Sequence, residues 1–346
     1  MARVTLKMIA KEAEASIATV SMALRGQGKL AESNVSRIQE IANKLGYRPD
    51  PILASLASRR FRTGQQSTGL PLAILEFPAQ KSHPGTVSQY RLDLYKHAER
   101  LGYSPHVYSV QEMDRYHDFT RVLFHRGTVG AIITGQPSND LFDNEQRWQS
   151  YALVQCGRYR STLPIHTVRP NIFQAIQLSF EKAYTRGYRR IGFAIGHHPE
   201  MMEDDLARLG AATAHIDQNL SENQRIPPFF GAIDDNESIM GWVKKHRPDV
   251  IISFSVALWY FLENAGIRCP EDMGFISLHL DQRVQDQTVF AGLNQARSKV
   301  AEQTILLVDQ MVRHNERGIP DAPKHILIPS SWVEGNSLRP KATNDQ

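Results

Sequence analysis

Residues 5–26 read TLKMIAKEAEASIATVSMALRG, and the spacing of their apolar side chains decides the architecture of the N-terminal part of the chain. Leu6, Ile9, Ala10 and Ala13 recur at helical intervals behind Thr5, a residue suited to an N-cap, which predicts a short helix over 5–13. After a break at Glu14 and Ala15, Ser16 stands where it can cap a second helix, 17–24, with Val20, Ala23 and Leu24 on one face. Two glycines between Arg25 and Lys29 end that helix. A third is predicted from about Glu32 to Leu45, where Val35, Ile38, Ile41, Ala42 and Leu45 repeat every three or four residues and Gly46 stops it. Two short helices joined by a tight turn, with a third burying their apolar faces, make a helix-turn-helix unit. A small helical bundle without special function is the plain alternative. Against it, the outward positions of the second helix (Ile17, Ala18, Ser21, Met22) are small or uncharged, where a solvated helix would carry charge.

The charge distribution supports a phosphate-binding head. Residues 1–62 hold eleven bases against five acids, a net charge of +6, which leaves −2 for the remainder of a chain whose total is +4. A solvated basic face is the other explanation of such asymmetry. Only Cys156 and Cys269 are present, too few for a disulfide framework or a cysteine-rich zinc site, so a reducing cytoplasm is the expected compartment. The start of the chain interleaves charges with apolar residues, unlike an export signal, and no apolar run of eighteen residues occurs, so neither secretion nor membrane insertion is expected.

The segment 5–26 together with NKLGYRPDPILASLASRR (43–60) resembles the head and hinge of the LacI/GalR family of repressors. The resemblance lies in the opening VTLK, the S-x-x-TVS second helix, the LGYRP exit from the third helix and the A-x-L run after it, at the family's spacings and without a gap. It implies that 1–48 are a DNA-binding head and 49–62 a hinge helix and linker. Ile17, Ala18 and Met22 then occupy base-reading positions. Thr5, Leu6, Ser16, Thr19, Ser21, Arg25, Lys29 and Asn34 become phosphate or flanking contacts. The hinge would fold when paired with its dimer mate in the minor groove of a near-palindromic operator, with Ala54 beside a Leu56 that wedges between base pairs.

Two departures from the family pattern carry physical consequences. Many members have Arg at the position of Met22 and a polar pair at those of Ile17 and Ala18, so the guanine contact of an Arg is missing and contact with thymine methyls is favoured. For Met22, simple packing is an equal alternative. At Glu14 the family usually has Gly, and a Glu in the left-handed backbone expected there costs about 1 kcal/mol.

From Leu72 onward, short β-rich runs alternate with amphipathic segments of helical length, the pattern of parallel α/β units. Strands are predicted at 72–77, 104–110, 129–134, 151–156, 190–196, 249–255 and 273–278. Helices such as 90–101 and 172–186 are each followed by a Gly-Tyr pair that ends the helix and leads into a strand. The closing segment from Gly292, with its NERGIP turn, is also similar to the family's end. The resemblance thus implies an α/β fold: an all-α helix-turn-helix head plus two Rossmann-like lobes of the periplasmic-binding-protein type, making an effector-binding and dimerisation domain over 70–346. Lobe 1 would take about 70–168 and 294–323, and lobe 2 about 169–292 and 325–340, with crossings near Val168, Leu293 and Lys324.

An effector would bind between the lobes, at the C-terminal ends of strands. The matching positions are Phe77, Gln136, Arg158, Asn171, Arg208, Phe254, His279 and Gln295. For each, a solvated loop or a satisfied core group is the competing reading, and Arg208 in EDDLARLGA reads equally as a surface base. Sugar-binding members often carry Asp at the position of His279, where this chain reads SLHL.

Enzymatic rivals lack support: no G-x-G-x-x-G follows the first strand, and no Walker loop, H-E-x-x-H or G-x-S-x-G occurs. His197 and His198 are adjacent, which suits a loop better than a metal pair, so no metal or cofactor is expected. A free-standing solute-binding protein would explain the body equally well, and the head alone separates the two readings. The sequence therefore leads to a cytoplasmic homodimeric transcription regulator, a repressor by resemblance, controlled by a small molecule such as a sugar or sugar derivative.

Overall fold

The computed structural model describes residues 4–25, 32–45, 47, 69–77, 86–115, 118–135, 137–158, 163–196, 202–232, 235–280 and 289–341. The hinge residues 49–62, with Ala54 and Leu56, lie outside this set, as do Lys29 and Gln136.

Three helices form the head: α1 (Leu6–Glu12), α2 (Ile17–Arg25) and α3 (Glu32–Lys44). Their inward residues Ile9, Ala13, Val20, Ala23, Ile38 and Ala42 make one buried cluster, so the apolar stripes expected from the spacing do meet. Ser16 caps α2, its Oγ accepting from the Thr19 backbone N–H at 3.0 Å. Thr5 stands at the N-cap of α1 with extended backbone, but its side chain makes no capping bond. Between the two helices Glu14 has φ +49°, the left-handed conformation expected for that turn. We expect Glu14→Gly to stabilise the head by about 1 kcal/mol, measured by thermal unfolding of the full chain. Ser16→Ala should cost about 1 kcal/mol in the same measurement, because it leaves a first-turn N–H without its acceptor.

The rest of the chain builds two sheets. The first contains β1 (Leu70–Phe77), β2 (Tyr103–Ser109), β3 (Gly130–Gly135), β4 (Ala152–Cys156) and β5 (His166–Pro170). Into the same layer run the helices α4 (Thr86–Arg100), α5 (Val110–Met113) and α6 (Phe119–His125). The second sheet contains β6 (Ile191–Gly196), β7 (Phe229–Gly231), β8 (Val250–Ser253), β9 (Gly274–Ser277) and β10 (Ala291–Asn294). Its helices are α7 (Ile172–Thr185), α8 (Met202–Asn219), α9 (Asn236–His246) and α10 (Ala257–Asn264). The chain then returns through α11 (Arg297–Arg313), β11 (His325–Ile328) and β12 (Ser331–Val333).

Strand order is β11-β5-β4-β3-β1-β2 in the first sheet and β12-β10-β9-β8-β6-β7 in the second. Every pairing in the first is parallel, and in the second only β10 with β12 runs antiparallel. The expected α/β class with two parallel-sheet lobes is therefore the observed one.

Burial on both faces explains why the strands are so apolar. In β1, Leu72 and Ile74 pack with Leu94 of α4 and with Val300, Ile305 and Val308 of α11. Ala73 and Leu75 face the opposite way, against Leu123, Leu153 and Tyr151. The second sheet repeats this, with Phe193 and Ile195 toward α7 and α8 and Ala194 and Ile251 toward Trp242, Leu258 and Leu262. Gly102 and Gly187, the residues that end α4 and α7, adopt φ +81° and +88°, which a side chain would resist.

Three passages join the sheets. β5 belongs to the first sheet and leads directly into α7 of the second lobe, so the chain passes over at Pro170 and Asn171. It returns after β10, through Gln295 and Ala296 into α11, which packs on the first sheet. The stretch 325–328, expected in the second lobe, instead pairs with β5 as the edge strand β11, so the last passage follows Ile328 rather than Lys324. The backbone N–H of Lys324 donates to His166 Nδ1 at 2.9 Å, and His166 Nε2 lies 2.8 Å from Glu316 Oε1. Those bonds tie the segment to the first lobe.

Candidate functional site

Two surfaces bear on function. In the head, the start of α2 is turned outward. Ile17 is 49% exposed, Ala18 is exposed and Met22 half-buried, while Val20 and Ala23 on the inner face are buried. An isoleucine left half in water at the first position of a helix gains nothing for folding, and with small neighbours it lets the helix backbone approach a groove closely. Ser16 and Thr19 join at 2.8 Å through their hydroxyls, so both are engaged in the cap as well as standing on the exposed rim. Asn34 is exposed. Leu6 is partly buried against the head core, which gives it a packing role beside the expected flanking contact. Ser21 and Arg25 lie on α2.

Between the lobes is a small open cavity, about 240 Å³ including its mouth, lined by Pro170, Ile172, Arg208, Leu278, Gln295 and Ser330 among others. Ile172, Leu278, Gln295 and Ser330 follow the C-terminal ends of β5, β9, β10 and β11, and Arg208 lies on α8, which follows β6; open α/β sheets hold ligands at such strand ends. Four of the positions expected from sequence converge here. The Arg208 guanidinium lies 4.2 Å over the Phe254 ring, and Phe254 is 5.2 Å from the His279 ring, centroid to centroid. Gln295 Nε2 donates to Leu278 O at 2.8 Å, fixing its amide at the cavity wall.

The other three described positions behave differently. Asn171 caps α7, its Oδ1 accepting from the Gln174 N–H at 3.1 Å. Phe77 is buried in the core of the first lobe with Leu75, Tyr108 and Leu123. Arg158 is half-buried beyond the end of β4, and its Nη1 is shut off from solvent with no hydrogen-bond partner among the described residues.

The structure adds charged residues that the sequence does not single out. The first turn of α8 carries Asp204 and Asp205, both buried, and Arg208 one turn later is buried too. Arg208 Nη1 donates to Asp205 Oδ1 at 2.8 Å, and Arg169 Nη1 to Asp204 Oδ1 at 3.4 Å. Burial pushes the Asp204 carboxyl above its usual range, opposed by the cations Arg208, Arg169 and Arg158. Burial likewise lowers Arg208, against the attraction of Asp204 and Asp205. Tyr90 sits in the same field: burial raises its hydroxyl, while Arg297 and Arg158 act to lower it. An acidic first turn normally faces water, and this one faces a cleft stocked with arginines. The only hint in the sequence is three consecutive acids three residues ahead of an Arg.

Neither thiol is suited to nucleophilic chemistry at neutral pH, since burial pushes Cys156 and Cys269 up to about 12. Among the described residues, no group of three His, Cys, Asp or Glu side chains is placed to hold a metal ion. Nor is any helix among them long and apolar enough to cross a membrane.

Residues 5–50 match the family described as bacterial regulatory proteins, lacI family. Catabolite control protein A of Staphylococcus aureus (strain MRSA252) is 20% identical over 293 residues, covering 82% of this chain and 84% of its own length. Among solved structures, the lac repressor dimer bound to operator and the anti-inducer ONPF is similar with a TM-score of 0.60 at 17% identity, over 98% of this chain and all 100% of that one. The complex of the transcriptional regulator CelR with cellobiose has a TM-score of 0.59 at 15% identity, over 97% and 100%. At such identities the structural likeness is one of fold.

Proposed function

We propose that this chain, by its head a member of the lacI family of bacterial regulatory proteins, is a sequence-specific transcription regulator of the repressor kind, governed by a small molecule bound between its lobes. The observation that carries the reading is the outward, uncharged start of α2, with Ile17 and Ala18 exposed on a capped helix whose inner residues Val20 and Ala23 are buried. The helix enters the major groove, and Ile17, Ala18 and Met22 meet base edges and thymine methyls. Thr5, Ser16, Thr19, Ser21, Arg25, Lys29 and Asn34 hold the flanking phosphates. The excess of positive charge in residues 1–62 supplies the salt-dependent part of the affinity.

One head makes few contacts, so two chains bind a near-palindromic operator as a homodimer in the cytoplasm. Residues 49–62 pair as hinge helices in the minor groove, with Leu56 as the wedge. Effector binding at Arg208, Phe254, His279 and Gln295 biases the relative position of the lobes and, through them, of the hinges, altering operator affinity by population shift. The similarity to the CelR structure, whose name includes cellobiose, supports a sugar or sugar derivative as the effector class.

The test is selection of duplexes from a random pool by the purified full chain, followed by binding and bending assays on the enriched sequence. We expect Leu56→Ala to bind that duplex about tenfold more weakly and to bend it less, with ligand affinity unchanged. Equal bending by variant and parent removes Leu56 from the mechanism.

A further inference from the structure

Each of the three passages between the lobes lends a residue to the cavity wall: Pro170 from the first, Gln295 from the second and Ser330 from the third. The third is held on both sides of its backbone. The Ser330 N–H donates to Gln174 Oε1 at 3.0 Å, and its carbonyl accepts from Gln174 Nε2 at 3.4 Å. Gln174 is fixed in the first turn of α7 by the Asn171 cap, and the Asn171 N–H donates to Ile328 O at 2.8 Å. The first and third passages are thus laced together. The Ser330 hydroxyl takes no part in the lacing. The residue is 5% exposed, and its Oγ is shut off from solvent with no hydrogen-bond partner among the described residues.

A buried hydroxyl left unpaired is costly, and a ligand that supplies the missing partner removes the cost. Serine can donate or accept, so it suits another hydroxyl. The space beside it limits which groups can enter. Beyond its mouth the cavity has room for about one water-sized group, which admits a hydroxyl and excludes the larger carboxylate or phosphate. Ile172, Ile176 and Leu278 give that space a hydrocarbon wall, against which the carbon bearing the hydroxyl is buried.

We infer that Ser330 is a recognition residue of the cavity, its hydroxyl pairing with one uncharged hydroxyl that the ligand carries on an otherwise hydrocarbon edge. This inference rests on the reading of the interlobe cavity as the effector site, and it adds a contact that the family resemblance does not supply. Ser330 is tied through Gln174 to the first passage, and Gln295 in the same wall belongs to the second. The ligand hydroxyl therefore sits among all three passages, where a movement of the lobes is felt.

The test is calorimetric titration of the full chain with glucose, galactose, ribose and cellobiose, followed by the monodeoxy forms of each sugar that binds. Ser330→Ala is expected to weaken binding roughly three- to tenfold. One monodeoxy form should bind parent and variant alike, because either change removes the same bond. Without ligand the variant should melt no lower than the parent, since the hydroxyl it loses has no partner within the protein. Phe254→Ala, which takes the ring from beneath Arg208, reports separately whether the sugar lies in the cavity.

Binding that Phe254→Ala weakens and Ser330→Ala does not overturns the inference and leaves the cavity reading standing. Binding moved by neither variant overturns both. A loss at Ser330→Ala shared equally by every monodeoxy form overturns the inference, as does the failure of all four sugars to bind. A variant that melts below the parent with its affinity unmoved overturns it too, and marks a hydroxyl with a structural role only.

Discussion

Replacing Ala18 by Glu is expected to abolish specific duplex binding while leaving the head as stable as before, or slightly more so. Ala18 is exposed near the N-terminal end of α2, so the larger side chain meets water and displaces no packed neighbour. A carboxylate in the first turn also complements the helix dipole, a gain of a few tenths of a kcal/mol or more. On DNA the same carboxylate is carried into a groove walled by phosphates, where like charges brought together cost several kcal/mol, and a dimer meets that cost twice. We expect a loss of at least a hundredfold in affinity for a selected duplex, measured by fluorescence anisotropy, with thermal unfolding unchanged to within about 1 kcal/mol. Affinity lost while unfolding stays unchanged would separate recognition from folding. A variant that binds as the parent does would show that α2 does not face the DNA.

Arg208→Ala should have the largest effect on the body. It removes a guanidinium that is 6% exposed and takes from Asp205, 0% exposed, the cation that donates to its carboxylate at 2.8 Å. Breaking a buried pair from one side costs roughly 3–5 kcal/mol. For a domain of this size that lowers the melting temperature of the body by roughly 10 °C. The stacking over Phe254 is lost as well, so the cavity wall loosens and ligand binding declines. Adding Asp205→Asn should restore part of the stability without restoring ligand binding, because the charge that Arg208 balances is gone but the wall is not rebuilt. Were Arg208 an exposed surface base, the single substitution would shift the melting temperature by no more than about a degree.

The strands that can be read from the chain are those buried on both faces. LAIL, AIIT, LVQC and VIIS stand out because both sides of each run meet apolar neighbours. β5 is not readable in the same way, since its HTVRP is polar in composition. It is a strand because His166 is satisfied by Glu316 and by the Lys324 N–H, contacts some 150 residues away in sequence. β7 and β12, three residues each, are too short for any periodicity to register.

In the head, the cap at Ser16 follows from local chemistry and the strained turn at Glu14 from the family resemblance, and both are seen. In the cleft the sequence is a weaker guide. Arg208, Phe254, His279 and Gln295 come from family resemblance and do converge, whereas Asn171 is engaged in capping α7 and Phe77 in the core. Nothing local in the sequence singles out Asp204 and Asp205, since Arg169, on the far side of a sheet passage, reaches back to meet Asp204 only in the fold.

The account depends on α2 lying in the groove of a duplex, presented twice by a symmetric pair of chains. Sedimentation of the full chain with a labelled duplex enriched from a random pool tests this most directly. The account predicts a complex of two chains per near-palindromic duplex whose affinity falls steeply as salt rises. A single chain that enriches no duplex even in dilute salt would contradict it.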